Sequence, residues 1–394
     1  MTDRSPGPAG QRVGWDAASS ESLHPAAREA FLAALDQGYA DPRRLHGAAR
    51  SARLLLDNAR EVVASCLDAR PDEVSFTASG TEAVHRGLLG LLRGRSRVGT
   101  AVVRSAVEHS SVAHAVAWSG SPDVVVGVDR AGRVDPEAVR EAIAFSSTPV
   151  ALVAVQSANH EVGTVQPVTE VAAVADAAGG VPLFVAVAAS AGRLPLPDGW
   201  AVAAASAHKW GGPAGVGVLL VRKGARWRNP LPGDDRIDER VSGFENVPAA
   251  LAAAAALRAV VAERDAVNPR HTALVERIRT RVAALPDVEV VGHPVQRLPH
   301  LLTFSCLYVD GEALVTELDR HGFGVASGSA CTASTLTPSH VLAAMGVLTH
   351  GNVRLSLPWP TGAADPAVTE ATVDRFLEVL PVALAELRSR VGLP

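Results

Sequence analysis

Two lysines, Lys209 and Lys223, occur among the 394 residues, and the other 35 of the 37 basic residues are arginine. Lys209 lies in Ala205-Ser206-Ala207-His208-Lys209-Trp210-Gly211-Gly212-Pro213, where one apolar run ends in a Gly-Gly-Pro turn before another begins. Arginine stays protonated, whereas a desolvated lysine can lose its proton and attack a carbonyl carbon. Schiff-base chemistry is therefore one reading of Lys209, and a solvated loop lysine is the other. Lys223, at a strand end beside Gly224, fits the second reading.

Three cysteines, Cys66, Cys306 and Cys331, give no disulfide framework and no Cys-x-x-Cys metal spacing, and no metal site is expected. Cys66 and Cys306 sit inside apolar patterns and read as buried, inert thiols. Cys331 lies in the small-residue loop Ser327-Gly328-Ser329-Ala330-Cys331-Thr332-Ala333-Ser334, ahead of Pro338-Ser339-His340 and a short helix over 341–345. Exposure in such a loop suits a nucleophilic sulfur. A third segment, Ser75-Phe76-Thr77-Ala78-Ser79-Gly80-Thr81-Glu82, joins a strand to a helix. Ser79 and Glu82 have capping-box spacing, Gly80 permits close approach, and the free N–H groups of a helix start suit a phosphate. Many capping boxes only cap helices, so both readings stay open.

The elements that must position these residues alternate along the chain. Strands are predicted over 72–76, 101–104, 124–128, 150–156, 182–188, 201–205 and 215–221, with helices over 81–92 and 167–178 between them. Buried runs alternating with amphipathic helices imply an α/β fold with a mainly parallel, seven-stranded sheet covered on both faces. Beyond 229–235, helices over 248–268, 271–284, 312–321 and 368–391 and strands over 288–291 and 301–308 suggest a smaller α/β domain. The expected division is an unstructured N-terminus over 1–14, a large domain over 15–250 and a small domain over 251–394.

Composition bounds the partners. A chain that is 47% hydrophobic, with a formal charge of −4 and scattered arginines, gives no electrostatic case for nucleic acid or an anionic membrane. No apolar stretch is long enough to span a bilayer, and the N-terminus lacks a signal-peptide core. The cytoplasm is the expected compartment.

These segments, in this order, resemble the cysteine desulfurases of the class V, fold type I pyridoxal-phosphate enzymes. Asp41-Pro42-Arg43-Arg44-Leu45-His46, Glu108-His109-Ser110-Ser111, Asn159-His160-Glu161-Val162-Gly163, Gly243-Phe244-Glu245-Asn246 and Val353-Arg354-Leu355-Ser356 join the likeness, which spans roughly residues 15 to 390. The resemblance implies a fold type I transferase that removes sulfur from L-cysteine to give alanine. Lys209 would carry pyridoxal 5'-phosphate as an aldimine, and Cys331, in a loop similar to the long-loop subgroup, would carry the sulfur as a persulfide. His109 would stack on the pyridine ring and act in catalysis. Gly80, Thr81, Ser206 and His208 would surround the phosphate, His160 would touch the coenzyme, and Arg354 with Asn159 would bind the substrate. A homodimer and a sulfur-acceptor protein are implied as partners, with cysteine or a related thiol as substrate.

Four positions depart from the pattern. The family's Asp at the pyridinium nitrogen is Ala186, its Gln at the phenolic oxygen is Ala189, the second Asn of Asn-Asn-Glu is His160, and a Thr reaching across the dimer to the phosphate is Phe244. The carboxylate makes the ring an electron sink. Its absence leaves three expectations: an atypical desulfurase, another carbon–sulfur lyase, or a catalytically degenerate homologue serving as sulfur relay or scaffold. The Cys331 loop disfavours an ordinary aminotransferase.

Overall fold

The computed structural model describes residues 12–37, 39–234, 238–327, 338–360 and 365–390. Its N-terminal part holds strand β1 (Val13–Gly14) and helices α1 (Pro25–Gln37) and α2 (Gly47–Cys66). Strand β2 (Val74–Thr77), helix α3 (Gly80–Arg95), β3 (Ala101–Ser105), α4 (Ser110–Ser119), β4 (Asp123–Val126) and α5 (Pro136–Ala144) follow. Then come β5 (Val150–Ala154), α6 (Val168–Ala177), β6 (Leu183–Ala186), β7 (Trp200–Ser206) and β8 (Gly217–Val221). The last third contains α7 (Val247–Ala283), β9 (Val288–Val291), β10 (Leu301–Cys306), α8 (Gly311–Arg320), β11 (Phe323–Gly324), α9 (His340–Met345), β12 (Asn352–Ser356) and α10 (Glu370–Arg390).

The main sheet has seven strands in the order β2-β8-β7-β6-β5-β3-β4. Strands β4, β3, β5, β6 and β7 run parallel, and β8 and β2 close one edge antiparallel. Alternation along each strand decides what each face meets. Val102, Leu152, Phe184, Val202 and Leu219 pack with α3 and α4, whereas Val103, Val153, Val185, Ala203 and Leu220 share the opposite core with α2, α6 and the first half of α7. Both faces are therefore dry, which explains the continuous apolar runs.

A second core gathers Trp15, Phe304, Phe323 and Phe376 around the antiparallel sheet β12-β10-β9 and the two-stranded pair β1-β11. The expected boundary at 250/251 falls inside α7, a single 37-residue helix where two were predicted. Pro269 lies within it and forfeits one backbone hydrogen bond, at a cost of about 3 kcal/mol. Leu257 and Val260 on one side of Pro269, and Leu274, Ile278 and Val282 on the other, are all buried. Burying each such side chain contributes roughly 1.5–3 kcal/mol, so packing at both ends outweighs the proline. The N-terminal boundary is also corrected: Val13 and Gly14, assigned to an unstructured segment, pair in parallel with Phe323 and Gly324. No helix among the described residues is long and apolar enough to cross a membrane.

Candidate active site

Parallel strands β3, β5, β6 and β7 deliver their carboxyl ends to one crevice, the usual ligand position in open α/β sheets. His109 follows β3, Asn159 and His160 follow β5, Ala186 ends β6, and Ser206 ends β7. Lys209 closes a 3₁₀ turn, Ala207–Lys209, directly after β7.

At one end of the crevice α3 begins. Ser79 Oγ accepts the Glu82 N–H at 3.0 Å, as its capping-box spacing suggests, but the Glu82 carboxylate accepts the N–H of Ala78 at 2.8 Å rather than that of the N-cap residue Ser79. A Cβ on Gly80 would lie 2.5 Å from Ser206 Cβ and 2.7 Å from its Oγ, so only glycine lets the helix start meet the end of β7. Ser206 Oγ and His208 Nδ1 are 3.0 Å apart, and Thr81 is exposed beside them. Burial, and then the neighbouring Lys209, lower the His208 pKa.

Across the crevice, His109 and His160 meet edge to face with ring centroids 5.0 Å apart. The Ser111 N–H donates to His109 Nδ1 at 3.1 Å, which assigns the proton of the neutral ring to Nε2. Burial and then Lys209 push the His109 pKa down to about 4. Burial likewise carries His160 well below its ordinary value, with His109 and Arg354 adding to the shift. Nδ1 of His160 has no hydrogen-bond partner among the described residues. Glu108, beside His109, accepts the Gln156 N–H at 2.6 Å, yet burial raises its carboxyl to about 8. Three titratable groups thus line this end in uncharged form at neutral pH.

Lys209 Nζ donates to the carbonyls of Ala18 and, at 3.0 Å, Ser19. Arg354 donates from Nη1 to the His160 carbonyl at 3.0 Å and from Nη2 to Asp16 Oδ1 at 2.8 Å and Ser19 Oγ at 2.5 Å. Lys209, His109, His160 and Arg354 therefore lie near one another. Asn159 is fully buried, accepts the Glu161 and Val162 N–H groups at 2.8 Å and donates to the Val107 carbonyl at 3.1 Å, and so shapes the turn that carries His160. The sequence reading missed residues 16–21 altogether. Their key groups are backbone carbonyls, which leave no mark in residue type, although Asp16 and Ser19 could have drawn notice as acceptors.

Ala186 is buried, with neighbours that include Val112 and Ala83 in the α3–α4 core. Ala189 and Phe244 are half-buried and exposed respectively. Cys306 is buried in the small lobe, where desolvation pushes its thiol to about 12, and burial also raises Cys66, so both fit the inert reading. Cys331 lies outside the described residues.

Residues 15–365 match the family model described as aminotransferase class-V. The chain is 32% identical over 375 residues to a cysteine desulfurase IscS of Dictyoglomus turgidum, covering 93% of this chain and 94% of that protein. It is 36% identical over 388 residues to an IscS-like cysteine desulfurase of Mycobacterium tuberculosis, covering 95% and 96%. A solved NifS-like protein superposes with a TM-score of 0.85 at 26% identity, over 96% of this chain and all of the other. With a family model covering most of its length and relatives above 30% identity along nearly all of it, the chain belongs to the class V aminotransferase family, among the cysteine desulfurases.

Proposed function

We propose that this protein removes sulfur from L-cysteine with the aid of pyridoxal 5'-phosphate, yielding alanine and sulfur held on Cys331. The convergence of His109, His160 and Lys209, just beyond the carboxyl ends of β3, β5 and β7, with Arg354 of β12 in a desulfurase-family fold supports this reading.

The described residues fit the coenzyme at three points. Gly80, whose missing Cβ leaves room beside Ser206, and the first N–H groups of α3 suit the phosphate, with Thr81, Ser206 and His208 around it. Lys209 would take the aldehyde, and the neutral His109 ring would offer a face to the pyridine. His160 Nδ1, orphaned and buried, is a further polar group that a ligand could satisfy. The fourth point differs: Ala186 offers no carboxylate for the ring nitrogen. When bound, the coenzyme supplies an aldehyde for covalent attachment and an electron sink at the substrate Cα.

The chain's own residues do the rest. Arg354 presents a guanidinium fork matched to the substrate carboxylate, for which Asp16 now stands in. The amine of Lys209 would accept and return the Cα proton. A Cys331 thiolate would attack the substrate sulfur; the carbon–sulfur bond breaks, its electron pair passes to carbon, and that carbon is protonated to give alanine. Neutral His109 offers its Nε2–H as a hydrogen-bond donor at the reacting group. The exposed apolar side chains of Leu45 and Phe244 support a homodimer contact.

The test is release of alanine and sulfide from L-cysteine by protein incubated with pyridoxal 5'-phosphate. Lys209→Ala is expected to abolish it, a loss of about three orders of magnitude. The absence of Ala186 and Ala189 side-chain ligands favours a second reading, a sulfur relay or scaffold without turnover. Alanine release that depends on Lys209 would exclude that alternative.

A further inference from the structure

Residues 12–24 form a strap, with a turn over 16–19, that links the two lobes of the site. Its leading end belongs to the small lobe: β1 pairs with β11, the Ser356 N–H donates to the Trp15 carbonyl at 2.8 Å, and the Ala18 N–H donates to Ser356 Oγ at 2.8 Å. Its trailing end is zipped to the Lys209 loop, with the Glu21 N–H donating to the His208 carbonyl and the His24 N–H to the Gly211 carbonyl, both at 2.8 Å. Between these anchors the strap touches both functional cations. Ala18 and Ser19 carbonyls accept from Lys209, while Asp16 and Ser19 side chains accept from Arg354.

One buried side chain fixes the middle of the strap. Glu21 Oε2 lies 2.6 Å from Arg193 Nη2, with the two side chains 2% and 3% exposed. Arg193 is itself held by rigid elements: Asn268 of α7 donates to its carbonyl at 2.6 Å, and its guanidinium lies 5.3 Å from the centre of the Trp359 ring. The Trp359 backbone N–H also reaches the Glu21 carboxylate. Removing two charges from water is a poor route to stability, but it penalises alternatives strongly. A strap displaced by one residue would leave both charges buried without partners.

We propose that Glu21 and Arg193 are positioning residues that lock the register of the strap and thereby hold the Lys209 amine and the Arg354 guanidinium in a single arrangement. Their bearing on catalysis rests on the role given to Lys209 above, whereas the lock itself can be tested without coenzyme or substrate.

Lys209 and Lys223 are the only lysines in the chain, so amine acylation of the apoprotein, followed by peptide mass spectrometry, reports on both at once. Lys223 is exposed at the end of β8 and serves as the internal reference. In the unaltered protein two carbonyls shield the Lys209 amine from the reagent. Glu21→Gln is expected to raise the Lys209-to-Lys223 labelling ratio about fivefold or more, because the strap is released from its charged anchor. Glu21→Asp keeps the charge but withdraws it by one methylene, and is expected to give a smaller rise of about twofold. A residue with a purely structural role would lower the melting temperature and leave this ratio where it was. A ratio unchanged in Glu21→Gln overturns the proposal, and if that variant does not fold, an unchanged ratio in Glu21→Asp does so. An unchanged ratio alongside Lys209-dependent alanine release would refute the lock alone; a raised ratio without alanine release would refute only the desulfurase reading.

Discussion

The two ends of the crevice are built on different principles. The end at α3 relies on fixed dipoles and a missing side chain: helix N–H groups, the Ser206 hydroxyl, and Gly80 pressed against β7. The opposite end is lined by His109, His160 and Glu108, which burial keeps uncharged, and by Ala186 where relatives are expected to place a carboxylate. Affinity for a phosphorylated coenzyme and control of its ring electrons are thus separable properties. On the proposed reading, this chain keeps the parts for the first and lacks one for the second.

The contrast can be broken most forcefully at Gly80. Gly80→Ala places a methyl 2.5 Å from Ser206 Cβ, forcing α3 and β7 apart where the phosphate belongs. Pyridoxal 5'-phosphate affinity, measured by absorbance titration, is expected to fall roughly a hundredfold, since overpacking of this kind costs about 1–3 kcal/mol. An unchanged affinity would mean that the phosphate binds elsewhere.

Ala186→Asp sharpens the contrast from the other side. A charge-assisted hydrogen bond to the ring nitrogen contributes about 1.5–3 kcal/mol, which corresponds to roughly ten- to hundred-fold in turnover. Steady-state alanine release should rise by that factor while coenzyme affinity changes less. If neither moves, the missing carboxylate is not what distinguishes this end of the site.

The smallest expected effect concerns charge at the ring end. Glu108 has its carboxyl raised by burial from an ordinary 4.5 to about 8. Between those values the folded chain binds more protons than the unfolded chain, so this group's favourable contribution is complete below pH 4.5 and is lost as pH rises through about 8. Glu108→Gln removes that loss, and urea unfolding should show a gain in stability at pH 8.5, with little change at pH 4.5. His109 behaves oppositely. Its value of about 4 lies below the ordinary 6.5, so stability falls as pH drops through that window. His109→Phe should flatten the acid limb of the same unfolding series by up to about 1.4 kcal/mol per pH unit.

Much of this architecture was legible from residue types. Strands β5 to β8 are buried on both faces, and their continuous apolar runs could hardly be read otherwise. Lys209 stood out because arginine fills nearly every other basic position. What stayed hidden depends on contacts between distant segments. The continuity of α7 through Pro269 follows from two cores gripping its two halves, which no local signal reports. The bonds that tie Asn159 to residues 107, 161 and 162 exist only in the fold. The strap over 12–24 works largely through carbonyl oxygens, which every residue possesses, and its Glu21 has meaning only beside Arg193.

The central claim is that Lys209 can hold pyridoxal 5'-phosphate and turn over L-cysteine although Ala186 leaves the ring nitrogen without a carboxylate. Visible absorbance of the purified protein, titrated with that coenzyme and then with L-cysteine while alanine is assayed, tests it most directly. A new band that requires Lys209, shifts on adding L-cysteine and is accompanied by alanine is the predicted result. A spectrum identical to that of the free coenzyme, with no alanine formed, would contradict the claim.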